Sequence, residues 1–435
     1  MKAITFKKGD KKVLNAWAFY DWANSVYSLV IASAIFPIFY GALFRGAGIS
    51  ELEIFGITIK QSPIIFYTTA LAFIIIALIS PILSGVADYL GNKKFFLKFF
   101  CYLGAGSTIA LYWFSLEHIY FGLLCYLLAL VGFWGSLVFY NSYLPDIAYE
   151  NQHDSLSAKG YALGYIGSVL LLLICLAMIL KYETFGFESE AMPTKLSFVA
   201  TGVWWIVFSQ YTYYYLPTGH ASKGKLTRAV LSNGFKELKG IWLKLNDQVK
   251  LKKYLIAFFV YSMAVQTVML AAAYFGEQEL SWGSDSQRTT GLITSILLIQ
   301  LIAVVGAIIT SKLSKRLGNI KTLILVNICW VFICVYAYFV HTPEQFYVAA
   351  GFVGLVMGGI QALSRSTYAK FLPETKDTTS YFSFYDVAEK IGIIIGMFIY
   401  GIIADITGSM RFSILFLVLF FIAGVVLLLR VPKED

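Results

Sequence analysis

Five ionisable residues stand inside otherwise apolar stretches: Asp21, Arg365, Asp386, Glu389 and Lys390. A charge at the centre of a membrane span costs on the order of 3 kcal/mol, so such residues face a cavity or an opposite charge. Asp386 and Lys390 are spaced i,i+4 with the acid first, the favourable order for a helical ion pair. Arg365 is then available to neutralise Asp21 or Glu389, which leaves one carboxylate without a cation. Loss of water favours the protonated form of such an acid. Two chemistries fit: a gate of ion pairs, or a carboxylate that takes up and returns a proton.

Uncharged polar residues extend the set. Asp21, Asn24, Ser25 and Ser28 fall at i, i+3, i+4 and i+7, one helical stripe expected to face a substrate cavity. Gln266, beside Ser262 and Thr267, is read either as a substrate contact or as an interhelical hydrogen bond. Asn141, Ser142 and Gln300 are weaker candidates, and Gln361 and Ser364 lie nearer the cavity than Lys370, which is expected to snorkel. Enzyme signatures are missing from the sequence: it has no P-loop, no H-E-x-x-H and no G-x-S-x-G. Cys101, Cys125, Cys175, Cys329 and Cys334 all lie in apolar runs as packing residues, and the histidines lack ligand spacing. No catalytic residue, metal site or cofactor is expected. A gradient of protons, Na+ or the substrate itself is left as the energy source.

The elements that must carry these residues follow from composition. Of 435 residues, 58% are hydrophobic and 14% charged, against about 25% charged in soluble domains. A bilayer span needs about 20 apolar residues, and twelve runs qualify, at roughly 15–41, 63–86, 95–115, 119–142, 160–180, 196–216, 252–275, 289–311, 321–340, 345–369, 380–404 and 410–430. With the N-terminus inside, inner segments hold about 26 of the 34 lysines and arginines. The net charge of +9 is therefore a topology signal rather than a nucleic-acid footprint, and both termini are expected in the cytoplasm. The first run is too long, and too polar at Asp21 and Asn24, for a cleaved signal peptide. Compact loops and no N-x-[ST] sequon fit a bacterial inner membrane.

The longest inner loop, 217–251, divides the spans six and six. Leu231, Phe235, Leu238, Trp242 and Leu245 follow helical spacing there, interleaved with Lys236, Lys239 and Lys244, as in a helix lying on a membrane surface. Two motifs recur across that divide. Asp88-Tyr89-Leu90-Gly91-Asn92-Lys93-Lys94 returns as Lys315-Arg316-Leu317-Gly318-Asn319-Ile320-Lys321, and Tyr140-Asn141-Ser142-Tyr143-Leu144-Pro145-Asp146 returns as Tyr368-Ala369-Lys370-Phe371-Leu372-Pro373-Glu374. Offsets of about 227 at matching places in both halves indicate a duplicated six-helix unit. The G-x-x-x-G pairs Gly160/Gly164, Gly354/Gly358 and Gly392/Gly396 mark close helix packing.

This arrangement, with a D-x-x-G-x-K turn at Asp88, Gly91 and Lys93, resembles the major facilitator superfamily. Ser84 stands where the motif's leading glycine belongs, and Tyr89 and Asn92 replace basic residues. Tyr20-Asp21-Trp22-Ala23-Asn24-Ser25-Val26-Tyr27 is similar to the Y-D-W-A-N-S-x-Y signature of the "unknown major facilitator" family, whose eukaryotic members include vacuolar amino-acid effluxers of autophagy. Tyr140–Asp146 and Gln361–Ser366 resemble the same branch. Asp386 and Glu389 depart from its neutral pattern in span eleven.

The resemblance implies transport, and a cytoplasmic latch at Asp88, Gly91 and Lys93. The expected fold is an all-α polytopic membrane protein of two pseudo-symmetric six-helix halves, 1–216 and 252–435, joined by the basic linker 217–251. The expected function is secondary transport of a small polar metabolite, an amino acid moved outward, by alternating access. The alternatives are a cation-coupled importer of sugars or peptides and a non-transporting receptor or scaffold. Expected partners are a small-molecule substrate, protons or Na+ and the lipid bilayer, with no nucleic acid, and the protein is expected to be a monomer.

Overall fold

The computed structural model describes residues 7–49, 51–54, 56–218 and 239–432. Among them are twelve helices long and apolar enough to cross a bilayer, numbered here α1 Lys11–Ala47, α2 Gln61–Leu90, α3 Lys93–Ala110, α4 Ile119–Asn141, α5 His153–Leu180, α6 Ala191–Tyr215, α7 Val249–Gln278, α8 Asp285–Leu317, α9 Asn319–Tyr338, α10 Pro343–Phe371, α11 Thr378–Thr407 and α12 Met410–Leu429. A hairpin follows α1, pairing Glu51–Ile54 antiparallel with Ile57–Lys60. Most helices run several residues beyond the apolar windows. Hydropathy sees the hydrocarbon-facing core of a helix, whereas backbone hydrogen bonding continues into its polar ends. The difference matters in α5, which starts at His153 rather than near 160 and so carries Asp154 and Ser157 on its first turns.

Helix ends follow local chemistry. Asp10 caps α1 through a hydrogen bond from the Lys12 amide (2.8 Å). Asn92 does the same for α3, accepting from the Phe95 amide (3.3 Å). Thr342 and Gln345 close a reciprocal capping box on α10. The two copies of the repeated turn both place glycine at positive φ, 62° at Gly91 and 82° at Gly318, a conformation that a Cβ disfavours.

α1 is not uniform. After Lys11–Val26 the chain widens into a π-helical stretch, Tyr27–Ile35, before α-geometry resumes at Phe36. Such turns shift the register of the faces that follow. Asp21 and Asn24 are buried and Ser25 half-buried, whereas Ser28, inside the π stretch, is exposed.

The chain divides into two compact units, Met1–Tyr143 with Ile166–Phe235, and Leu144–Tyr165 with Lys236–Asp435. α5 thus gives its first half to the second unit and its second half to the first. Of the amphipathic stripe expected in the linker, Leu231, Phe235, Lys236 and Leu238 lie outside the described residues. Residues 239–244 are helical, with Trp242 exposed and Ile241 and Leu245 buried.

Candidate functional site

In the first unit the signature segment of α1 is held by aromatic residues. The Trp17 indole donates to the Tyr140 carbonyl (2.9 Å) and stacks on the Tyr140 ring (4.5 Å between centroids). That ring's hydroxyl donates to Asp21 Oδ2 (2.8 Å). Trp22 lies against Gly167 of α5, where an added Cβ would be tightly packed at 3.0 Å from it, and its carbonyl accepts from Trp204 (3.1 Å). Asn24 Oδ1 accepts from Ser25 (3.3 Å). Asn24 Nδ2 and the Tyr20 and Tyr27 hydroxyls are buried without a partner among the described residues. Buried donors are satisfied in the great majority of cases, so this segment retains unspent hydrogen-bonding capacity. Asn141 is half-buried at the end of α4.

Lys93, in the D-x-x-G-x-K turn, is buried. Its Nζ donates to the Ser142 carbonyl (2.9 Å) and lies 4.6 Å from the centre of the Tyr143 ring. The Gly91 amide donates back to the Asp88 carbonyl (3.2 Å), which closes the turn. In both copies of the repeat a lysine ties the turn to the matching later motif: Lys93 of the turn donates to the Ser142 carbonyl, and Lys370, in the place of Ser142, donates to Asn319, in the place of Asn92.

The second unit holds most of the charge. Lys390, fully buried, places Nζ 3.0 Å from Asp386 Oδ1 and 3.2 Å from Glu389 Oε2. Gln266 of α7 donates to Glu389 Oε1 (2.8 Å), so it makes the interhelical bond that was one of its two expected roles. The close approach of the helices needs Gly396, where a Cβ would collide with Thr267 and Met263 of α7; Gly392 also faces Met263 but at ordinary contact distance. Tyr385 fixes the turn between, stacking on Phe258 (4.2 Å) and Tyr368 (4.6 Å). Asp386 Oδ2 and Ser383 Oγ, one turn apart on one face of α11, are buried with no partner among the described residues. Of the two acids open to Arg365 in the sequence, Asp21 or Glu389, Glu389 has its two oxygens engaged by Gln266 and Lys390.

Arg365 instead engages the first half of α5. Its Nε and Nη2 donate to Ser157 Oγ (2.9 Å) and the Ser157 carbonyl (3.0 Å), and its guanidinium lies 4.3 Å over Tyr161. Ser157 donates onward to the Ala362 carbonyl (2.7 Å), and Tyr165 donates to Gln361 (2.7 Å). Ser364 meets the Tyr261 hydroxyl (2.8 Å), while its carbonyl accepts from Tyr254 (2.8 Å).

Lys370 is not a snorkelling side chain. Its Nζ sits 2.6 Å from Asp154 Oδ2 and 2.9 Å from Asn319 Oδ1. Asp154 also accepts from Ser314 (3.1 Å) and Asn319 (2.9 Å). Sequence reasoning missed Asp154, Ser157 and Tyr161, although with Tyr165 they fall at i, i+3, i+7 and i+11. That periodicity was the available signal, hidden because the apolar window opened only near 160.

Over residues 9–435 the sequence matches the family described as vacuole effluxer Atg22 like. It is 34% identical over 430 residues to the uncharacterized MFS-type transporter YxiO of Bacillus subtilis (strain 168), covering 97% of this chain and 95% of that protein. Autophagy-related protein 22 of Cryptococcus neoformans var. neoformans serotype D is 28% identical over 304 residues, covering 64% of this chain and 50% of that one, so the match spans about half of that relative. Among solved structures, the E. coli fucose:proton symporter FucP superposes with a TM-score of 0.67 at 15% identity, covering 97% of this chain and 98% of that one. At that identity the likeness is one of fold: twelve helices in the major facilitator arrangement.

Proposed function

This chain belongs to the vacuole effluxer Atg22-like family, and from that premise we propose that it exports a small polar metabolite, an amino acid foremost, by alternating access. It is a multi-pass integral membrane protein of a transporter family, not an enzyme family. One observation carries the reading beyond the family. Its apolar helices hold deeply buried polar groups with capacity to spare, namely Asn24 Nδ2 on α1 and Asp386 Oδ2 on α11. A purely structural scaffold gains nothing from leaving such groups unmatched in a bilayer, whereas a solute path needs them.

The residues proposed for cargo are Asp21, Asn24, Ser25 and Ser28 on α1, Asn141, Gln266, Gln361 and Ser364. Asp21, Arg365, Asp386, Glu389 and Lys390 are proposed for coupling or gating, with protons rather than Na+ as the coupling ion. Asp88, Gly91 and Lys93 are proposed as the cytoplasmic latch. The basic-residue asymmetry supports cytoplasmic termini, and the Bacillus relative supports a bacterial inner membrane. The protein is taken to work as a monomer.

Thermal unfolding of the purified protein in detergent, with L-amino acids, sugars and dipeptides at two pH values, tests the cargo class. A ligand at a hundredfold its Kd stabilises by about 2.7 kcal/mol. Stabilisation by amino acids is expected; stabilisation by sugars or dipeptides alone would move the cargo to an importer's.

A further inference from the structure

We propose that residues 239–244, with the first turns of α7, form a docking surface for an anionic phospholipid: Lys239, Lys244 and Lys253 meet its phosphate, while Trp242 and Leu243 lie against its acyl chains. The surface lies wholly in the second unit, and the proposal does not depend on the cargo.

Burial separates the two sides of the short helix. Ile241 and Leu245 are 5% and 2% exposed, whereas Trp242 and Leu243 are 62% and 57% exposed. At about 100° per residue, Lys239 falls between Trp242 and Leu243 on the outward side, and it is exposed, as is Lys244. On α7, Val249, Lys253 and Ile256 recur at i, i+4 and i+7 and are all exposed, so that helix opens with a mixed stripe of its own. Three contacts fix the short helix in place. The Trp242 ring lies 6.2 Å from the Phe384 ring of α11, Gln248 donates to the Tyr381 hydroxyl (3.4 Å), and Lys252 donates to Asn246 (2.7 Å) across the turn into α7.

Depth in the bilayer follows from the contact with α11. The apolar run of that helix begins near residue 380, so Phe384 stands roughly 6 Å inside it at 1.5 Å per residue. Trp242, beside Phe384, is therefore at the edge of the hydrocarbon, where indoles are enriched. There its outward face and that of Leu243 can be covered by acyl chains. Lysine stems reach from the same level to the headgroups.

Charge selects the headgroup. Residues 239–253 hold five lysines and one acid, Asp247, and the turn before α11 adds Glu374, Lys376 and Asp377, which leaves this corner positive. Two of the lysines are already engaged, Lys250 over the Phe371 ring (4.6 Å) and Lys252 with Asn246. Lys239, Lys244 and Lys253 point outward beside the exposed apolar side chains. A soluble anion would satisfy these lysines and leave Trp242 and Leu243 in water. A zwitterionic lipid would cover the apolar side chains and bring no net charge. An anionic phospholipid does both.

Native mass spectrometry of the full-length protein, titrated in micelles with phosphatidylglycerol or phosphatidylcholine, tests the surface. The wild type should hold its tightest phosphatidylglycerol well above phosphatidylcholine. A basic residue beside an anionic lipid surface is worth about fivefold in affinity, so Lys239→Gln, Lys244→Gln and Lys253→Gln together should weaken phosphatidylglycerol on the order of 100-fold. Phosphatidylcholine should be unaffected, and because all three positions are exposed the variant is expected to fold. Trp242→Ala, with the lysines intact, should weaken both lipids alike. As a control, Lys312→Gln, Lys315→Gln and Lys321→Gln remove the same charge from the ends of α8 and α9 and should change neither. Equal binding of the two lipids by the wild type overturns the proposal, as does undiminished phosphatidylglycerol binding in the first triple variant. Equal weakening in both triple variants would reduce the effect to overall charge and overturn it too. Displacement of the lipid by soluble glycerol 1-phosphate would mark a free-anion site instead of a lipid surface.

Discussion

At the scale of single residues, the molecule separates charges that sequence can pair from charges that only folding can pair. Asp386 and Lys390 are four positions apart, so their ion pair was legible. Lys370 and Asp154 are 216 positions apart, and nothing in the linear order joins them. Their pairing has a measurable consequence. Lys370→Met removes the cation from an aspartate that is 5% exposed, and breaking such a buried pair costs about 3–5 kcal/mol. A large fall in Tm is expected, with much of it recovered when Asp154→Asn is added, because the double variant no longer buries a lone charge. Equal Tm for Lys370→Met and wild type would show that the pair contributes nothing. Asp21 is a different case: the sequence marked it by its helical stripe, but its hydrogen bond from Tyr140 came from folding alone.

At the scale of elements, periodicity revealed faces but not changes of register. The G-x-x-x-G pair in α10 was readable and its meaning is steric. A Cβ at Gly354 would lie 2.5 Å from the Ile299 carbonyl oxygen of α8, and one at Gly358 would collide with the Ala303 carbonyl. Gly358→Leu should therefore destabilise by more than the roughly 1–3 kcal/mol of ordinary overpacking, because backbone must move. Gly401 in α11 meets nothing within 4 Å, so Gly401→Ala should be neutral or stabilising by up to about 1 kcal/mol. Thermal unfolding of the two variants side by side checks the contrast; similar losses would mean that the close approach of α8 and α10 is unimportant. The π-helical stretch of α1 was not readable, since no proline or glycine marks its start. Extending the stripe from Asp21 to Ser28 assumed α-geometry throughout, whereas Ser28 already lies in the π-helical stretch.

At the scale of the whole molecule, hydropathy sufficed for the number of helices because the bilayer demands length and apolarity of each. Their membership in compact units was less legible. α5 is continuous in sequence and in backbone, yet its polar stripe from Asp154 to Tyr165 binds the second unit and the rest of it the first. Hydropathy cannot register a helix whose partners change along its length. The duplicated turns and family likeness make transport the central claim, and counterflow tests it most directly. Proteoliposomes loaded with an unlabelled L-amino acid should accumulate the same labelled amino acid transiently, above protein-free vesicles and above vesicles loaded with buffer alone. If no amino acid, sugar or dipeptide exchanges above the protein-free control, the protein is not the transporter proposed here.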